Sequence, residues 1–244
     1  MTLEFLPELA RAMGRMTDLA GRADGTEDVV GCPGWTTTDL VVHLGTMHRW
    51  SAAIVLSGQS LHTPRVLAYD PIAEWYAGTA TALLTALQAV VPDESTPNFS
   101  GVNETAGFWP RRQMHETTVH AVDLAQAMGI EEAEWRPEAD VAADGVDEVL
   151  EIFFPRMVAR GLSPVVTEPI ALLATDTRDR WVIAPQTDST LPPTVSRDPL
   201  EFAGATITGL AADLYLSLWH RVDAGRLEVS GEAARLLLAG PLTP

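Results

Sequence analysis

Lysine is missing from this sequence: its basic residues are all arginines, 16 against 33 acidic residues, and the net charge is -17. A chain of this charge is repelled by nucleic acids and by anionic membranes, so neither is expected as a partner. The lack of lysine, together with the many alanine, glycine, proline and aspartate residues, indicates a GC-rich bacterial source.

Cysteine is almost as scarce, because Cys32 stands alone among 244 residues and cannot form a disulfide within the chain. The N-terminus has no basic segment followed by a long apolar run, which a secretion signal would need. We therefore expect a cytoplasmic protein. With 46% hydrophobic residues the chain can bury a sizeable core unaided, so a bound metal would serve function more than folding.

Apolar residues recur every three to four positions through the first two thirds of the chain, which predicts amphipathic helices. Thr36 and Asp39 are spaced like a capping box, and Asp70 with Pro71 is typical of a helix start. The predicted helices cover residues 3–19, 36–58, 70–91, 110–128 and 141–159, with Pro155 perturbing the last.

Beyond Pro164 the pattern changes to short apolar runs. Strands are predicted at residues 169–175, 180–183, 203–208 and 227–229, with helices at 210–220 and after 230, and the first two strands form a hairpin. The predicted fold class is α+β, mainly α. We expect a four-helix bundle in residues 1–162 and a small α+β domain in residues 163–244.

Three side chains in two separate segments form a candidate metal site. Glu116 and His120 lie four positions apart, so they differ by roughly 40° around a helix and share one stripe. His43 on a neighbouring helix can face them. His43 is preferred to His48 because its flanking residues are apolar, and His115 diverges from His120 by roughly 140°.

Simpler interpretations exist for each of these residues. A glutamate and a histidine at this spacing often form a surface ion pair, and a lone histidine is often a core or capping group. Asp39 and Asp123 lie near the candidate ligands in sequence and could orient their imidazoles, although Asp39 is better explained as the capping-box acid.

Three segments resemble the mycothiol-dependent maleylpyruvate isomerase family: residues 32–44 (CPGWTTTDLVVHL), 112–123 (RQMHETTVHAVD) and 144–148 (DGVDE). The resemblance implies a DinB-like bundle that binds a divalent metal, usually zinc, through His43, Glu116 and His120. It also implies that the C-terminal domain is distantly similar to sterol-carrier folds, and that the thiol cofactor is mycothiol, the small thiol of actinobacteria.

A cation with three protein ligands keeps an open position, where it can stabilise a thiolate. Cys32 is expected to lie away from the ligand stripe, so the thiol would come from the cofactor. The family's chemistry is cis-trans isomerisation, in which the thiolate adds to a conjugated carbon, the former double bond rotates and elimination follows. Transfer of the thiol to an electrophile is an alternative, as is a non-catalytic ligand-binding module whose metal is closed by His48 or His115.

Substrate carboxylates would need a cationic partner in so acidic a protein. Arg49, Arg111 and Arg112 are the nearest guanidinium groups in sequence, and Arg49 and Arg112 are the predicted catalytic residues. The expected partners are therefore a small-molecule substrate and a low-molecular-weight thiol. The sequence leaves the substrate and the oligomeric state open.

Overall fold

The computed structural model describes residues 3–188, 191–197 and 204–244. The chain divides into two compact units, of which the first ends at Arg136 and the second begins at Pro137. The first is helical and the second contains a small sheet, so the predicted fold class is confirmed. Among the described residues, no helix combines the length and the apolar character that crossing a membrane requires.

In its described residues, 3–136, the first unit contains four long helices and one short helix. Helix α1 packs against α3 and α4, and α2 also packs against α3 and α4. The four long helices were predicted, whereas the short α5 was not. Their bounds are Phe5–Arg22 for α1, Thr37–Ser57 for α2, Ile72–Ala89 for α3, Phe108–Ala127 for α4 and Glu132–Trp135 for α5.

Helix α2 begins where the sequence predicts, because its first turn is capped by its own side chains. The hydroxyl oxygen of Thr36 accepts a hydrogen bond from the backbone N–H of Asp39, and the Asp39 carboxylate accepts one from the backbone N–H of Thr36. Gly58 ends the helix in the left-handed conformation at φ +64°. The capping box therefore fixes the phase in which His43, two turns later, meets α4.

Among the described residues of the second unit, five strands form a sheet in the order β3-β2-β1-β4-β5, where β1 pairs parallel to β4 and the other pairs are antiparallel. The predicted hairpin is confirmed as β1 and β2. Strand β3 was not predicted, and Ala203, where the next strand was expected to start, lies outside the described residues. The strands are Ile170–Ala174, Arg180–Ala184, Thr194–Ser196, Ala205–Gly209 and Glu228–Ser230.

Helices flank this sheet within the second unit. Helix α6 (Ala139–Glu148) continues through a π-helical turn (Val149–Phe153) into α7 (Phe154–Ala159). Helix α6 packs against α8 (Ala211–Leu218), which contacts β1 and β4, and α9 (Glu232–Ala239) contacts β4 and β5. The division at Arg136 thus differs from the sequence boundary at residue 162, because that boundary followed a change of secondary structure and not the packing of α6.

Candidate metal centre

The packing of α2 against α4 brings together the three side chains singled out in the sequence. The Oε1 atom of Glu116 lies 3.6 Å from Nε2 of His43 and 3.4 Å from Nε2 of His120. The donor atoms of all three residues lie within 4.8 Å of one another. Residues that are 77 positions apart at their extremes therefore meet in one cluster.

The spacing of these atoms fits the donor set of a tetrahedral zinc ion. Bonds of about 2.0–2.1 Å at the tetrahedral angle separate neighbouring nitrogen and oxygen ligands by roughly 3.3 Å. The two observed nitrogen-to-oxygen distances exceed this value by only a few tenths of an ångström. Two imidazoles and a carboxylate also form a ligand set that zinc uses in catalytic sites. The residues present therefore fit a divalent metal ion.

The electrostatic setting keeps Glu116 ionised. Burial alone would raise the pKa of this carboxyl, but the Arg112 guanidinium and the adjacent imidazoles of His120 and His43 outweigh burial and hold the pKa well below its usual range. Arg112 contacts Oε2 of Glu116 and is itself 2% exposed. The other carboxylate oxygen is thereby left to face the two histidines.

His120 is held from its other side by Asp123. Its Nδ1 atom lies 3.0 Å from Oδ2 of Asp123, whose carboxylate is buried. Burial opposes a charge on this imidazole, yet the hydrogen bonds to Asp123 and Cys32, together with Glu116, raise its pKa well above the usual value. A carboxylate on the far nitrogen is the arrangement that orients a metal-binding histidine. The possible orienting role of Asp123 thus has a structural basis, whereas Asp39 is the capping acid.

His43, one member of the cluster, also lines a surface depression of about 430 Å³. The ring of Trp35 lies against the ring of His43, with 4.8 Å between centroids, and forms part of the wall. The sequence analysis included Trp35 in the segment that resembles the family, at the start of the His43 helix, but gave it no role in the site. The lining residues are Gly34, Trp35, Asp39, Val42, His43, Thr46, Met47 and Thr63.

The position of Cys32 corrects the sequence analysis, which expected it away from the ligand stripe. Its Sγ atom lies 3.8 Å from Oδ2 of Asp123, on the Nδ1 side of His120. The loop turns back at this point, since Cys32 N–H donates to the carbonyl of Val29 and Trp35 N–H donates to the carbonyl of Cys32. The turn in this loop places the Cys32 thiol in contact with Asp123 on α4.

Neither of the other two histidines considered as a fourth ligand belongs to the cluster. Among the described residues, the groups of donor atoms that could hold a metal include neither His48 nor His115. His48 is fully buried and its Nε2 atom lies 3.1 Å from the hydroxyl of Thr117. Since that hydroxyl donates to the carbonyl of Gln113, it accepts from Nε2–H of His48. This argues against a metal site closed by a third histidine as its fourth ligand.

The two predicted catalytic arginines lie in different places. Arg112 is at the cluster, where Glu116 occupies its guanidinium group. Arg49 is exposed and lines a separate depression together with Tyr69, Trp75 and Thr79. Arg49 lies six positions after His43 on α2, which corresponds to a rotation of roughly 120° from the histidine. The structure therefore does not bring Arg49 to the candidate site.

Comparisons with known proteins match both units. The family model "Mycothiol maleylpyruvate isomerase N-terminal domain" matches residues 6–125, and the model "MDMPI C-terminal domain" matches residues 140–238. Among solved structures, that of the mycothiol-dependent maleylpyruvate isomerase is similar with a TM-score of 0.65 and 14% sequence identity, covering 94% of this chain and 96% of that chain.

A histidine-to-alanine mutant of that isomerase gives the same TM-score and coverage at 13% identity. At this identity the solved structures establish a shared fold. A comparison with curated protein sequences finds no significant match.

Proposed function

This chain belongs to the mycothiol-dependent maleylpyruvate isomerase family, and from that premise we propose that it is a zinc- and mycothiol-dependent enzyme acting on a small unsaturated substrate. The observation that carries the proposal is the cluster of His43, Glu116 and His120, whose donor atoms lie within 4.8 Å of one another beside an open depression. The reaction class we propose is cis-trans isomerisation.

Three residues of the chain would bind the ion, and they differ in charge. His43 and His120 supply neutral nitrogen donors and Glu116 supplies one negative charge, so a divalent ion would retain a net charge near +1. Bound together, such an ion and a thiol would supply a nucleophilic thiolate that can add reversibly to a conjugated carbon. The depression beside His43 is the space in which thiol and substrate would meet.

Two further residues act on the ligands. Asp123 can accept a hydrogen bond from Nδ1–H of His120, so that Nε2, once deprotonated, would direct its lone pair at the ion. Arg112 contacts one oxygen of Glu116 and so directs the other oxygen toward the histidines. We therefore assign Arg112 to positioning the carboxylate, since its guanidinium is already engaged.

The test compares Glu116→Gln with Glu74→Gln, an exposed glutamate on α3. Elemental analysis of the dialysed full chain should find about one zinc ion per wild-type and Glu74→Gln chain, and much less in Glu116→Gln. Even outer partners of metal ligands contribute about 10–100-fold to affinity, so loss of a direct ligand should weaken zinc binding by at least this factor.

The reaction is assayed with maleylpyruvate and mycothiol, with products weighed by mass spectrometry. Isomerisation leaves the substrate mass unchanged, requires the thiol and disappears in Glu116→Gln. Detection of a stable adduct of the thiol with the substrate would show that the reaction is thiol transfer and not isomerisation. Equal zinc binding in wild type and Glu116→Gln would refute the ligand assignment, and zinc binding without thiol-dependent turnover would point to a non-catalytic module.

A further inference from the structure

A second group of metal donors lies on the opposite edge of the His120 ring. It consists of Cys32, His120 and Asp123, whose donor atoms also lie within 4.8 Å of one another. Oδ2 of Asp123 is 3.0 Å from Nδ1 of His120 and 3.8 Å from Sγ of Cys32. Asp123 and His120 are buried, and Cys32 is partly accessible.

These separations are close to those around a single ion. Metal bonds of about 2.3 Å to sulfur and 2.0 Å to nitrogen or oxygen place tetrahedral neighbours roughly 3.3–3.5 Å apart. The observed oxygen-to-nitrogen distance is slightly shorter than this range and the oxygen-to-sulfur distance slightly longer. A shift of a few tenths of an ångström would therefore bring the three donors around an ion.

We propose that Cys32, the Nδ1 atom of His120 and Asp123 form a second cation site, which takes a soft divalent ion such as cadmium or zinc. The chemistry of the donors supports this class of ion, because a thiolate prefers soft metals and would bind magnesium or calcium poorly. On binding, the thiol loses its proton to solvent and the sulfur-metal bond forms.

Occupation of this second site excludes occupation of the first. A neutral imidazole carries one lone pair, so His120 can ligate through Nδ1 or through Nε2 but not through both. An ion at Nδ1 also takes the carboxylate of Asp123 away from its orienting role. This competition rests on the proposed function, whereas the second site itself depends on Cys32 and Asp123 and not on Glu116.

Cadmium provides a direct test, because Cys32 is the one cysteine of the chain and any thiolate-to-cadmium charge-transfer absorption must come from it. The full-length protein is freed of metal and titrated with cadmium in the absence of added thiol. The wild type should develop the absorption and Cys32→Ser should not. Asp123→Asn should need a higher cadmium concentration for the same signal.

Glu116→Gln separates the two sites. It should keep the absorption and give a larger signal at saturating cadmium than the wild type, because the competing site is weakened and more of the bound cadmium lies at Cys32. Absence of the signal from both wild type and Glu116→Gln at saturating cadmium would overturn the second site. An undiminished response in Asp123→Asn would also overturn it, because the thiol would then bind cadmium without Asp123. A half-saturation point that falls with increasing protein concentration would do so as well, because the ion would then be bound between chains.

Discussion

Glu116 contacts every other charged or ionisable group named at the candidate ligands' side of the cluster: Arg112 through one carboxylate oxygen, and both histidines through the other. The helical spacing predicted that Glu116 and His120 share a stripe, and the same spacing connects Arg112 to Glu116. That second relation could have been found in the sequence. The contact of Cys32 with Asp123 could not, because it depends on how the loop before α2 folds.

A buried histidine next to this centre should make the protein sensitive to acid. Burial lowers the pKa of His48 from 6.5 to about 3, so the unfolded chain takes up the proton more readily than the folded one. As far as this group is concerned, the free energy of unfolding is highest above about pH 6.5. It decreases progressively as the pH falls toward 3.

At pH 5 this loss amounts to about 2 kcal/mol of unfolding free energy. We expect His48→Gln, which keeps an N–H donor for Thr117 but takes up no proton, to lose less stability between pH 7 and pH 5 than the wild type does. Urea denaturation at the two pH values measures the difference. The exposed loop residue His62, changed to Gln, is the control and should behave like the wild type.

At the scale of the helices, capping residues and apolar periodicity were sufficient to predict most of the helices of the first unit. The capping box predicted the start of α2, and the apolar periodicity predicted the four long helices. Pro155 predicted a disturbance in the helix at residues 141–159, and a π-helical turn precedes it. The pattern could not show that α6 packs against α8, because periodicity identifies a buried face without its partner.

The close approach of α2 to α3 depends on a glycine. A Cβ atom added at Gly45 would overlap the ring of Trp75, which is buried, whereas one added at Gly14 on α1 would meet no atom within 4 Å. We expect Gly45→Ala to lower the unfolding free energy by about 1–3 kcal/mol through overpacking.

Gly14→Ala is the matched change, and we expect it to raise stability by about 0.5–1 kcal/mol, because alanine loses less backbone entropy in a helix. Chemical denaturation of the two variants and the wild type gives both values. A stable Gly45→Ala variant would show that Trp75 can move, and that α2 and α3 are not fixed by this contact.

For the whole molecule, the proposed ion would connect helices that are distant in the chain. The three donors lie together in the folded protein but not in the unfolded chain. Zinc should therefore bind the folded state preferentially and stabilise it. At a free concentration about 100 times the dissociation constant, the gain is about 2.7 kcal/mol. We expect zinc to raise the midpoint of thermal unfolding of the wild type in calorimetry, and to raise that of Glu116→Gln much less, because the variant lacks one ligand of the main site.

Removal of zinc with a chelator should return the wild-type midpoint to that of the metal-free chain. If zinc raised the midpoint of Glu116→Gln equally, the stabilising ion would be bound elsewhere. The net charge of -17 makes weak surface binding a realistic source of such a signal, so an equal concentration of magnesium serves as the control for general charge screening.

The contact between Trp35 and His43 has a consequence for protein engineering. The ring that borders the open depression, the turn that carries Cys32 and the helix that carries His43 are consecutive in the chain and are held together by hydrogen bonds within the loop. Transplanting the three candidate ligands alone into another bundle would omit these supports. The smallest portable piece of this centre is the continuous segment of residues 29–43, grafted together with a helix that carries Arg112, Glu116, His120 and Asp123.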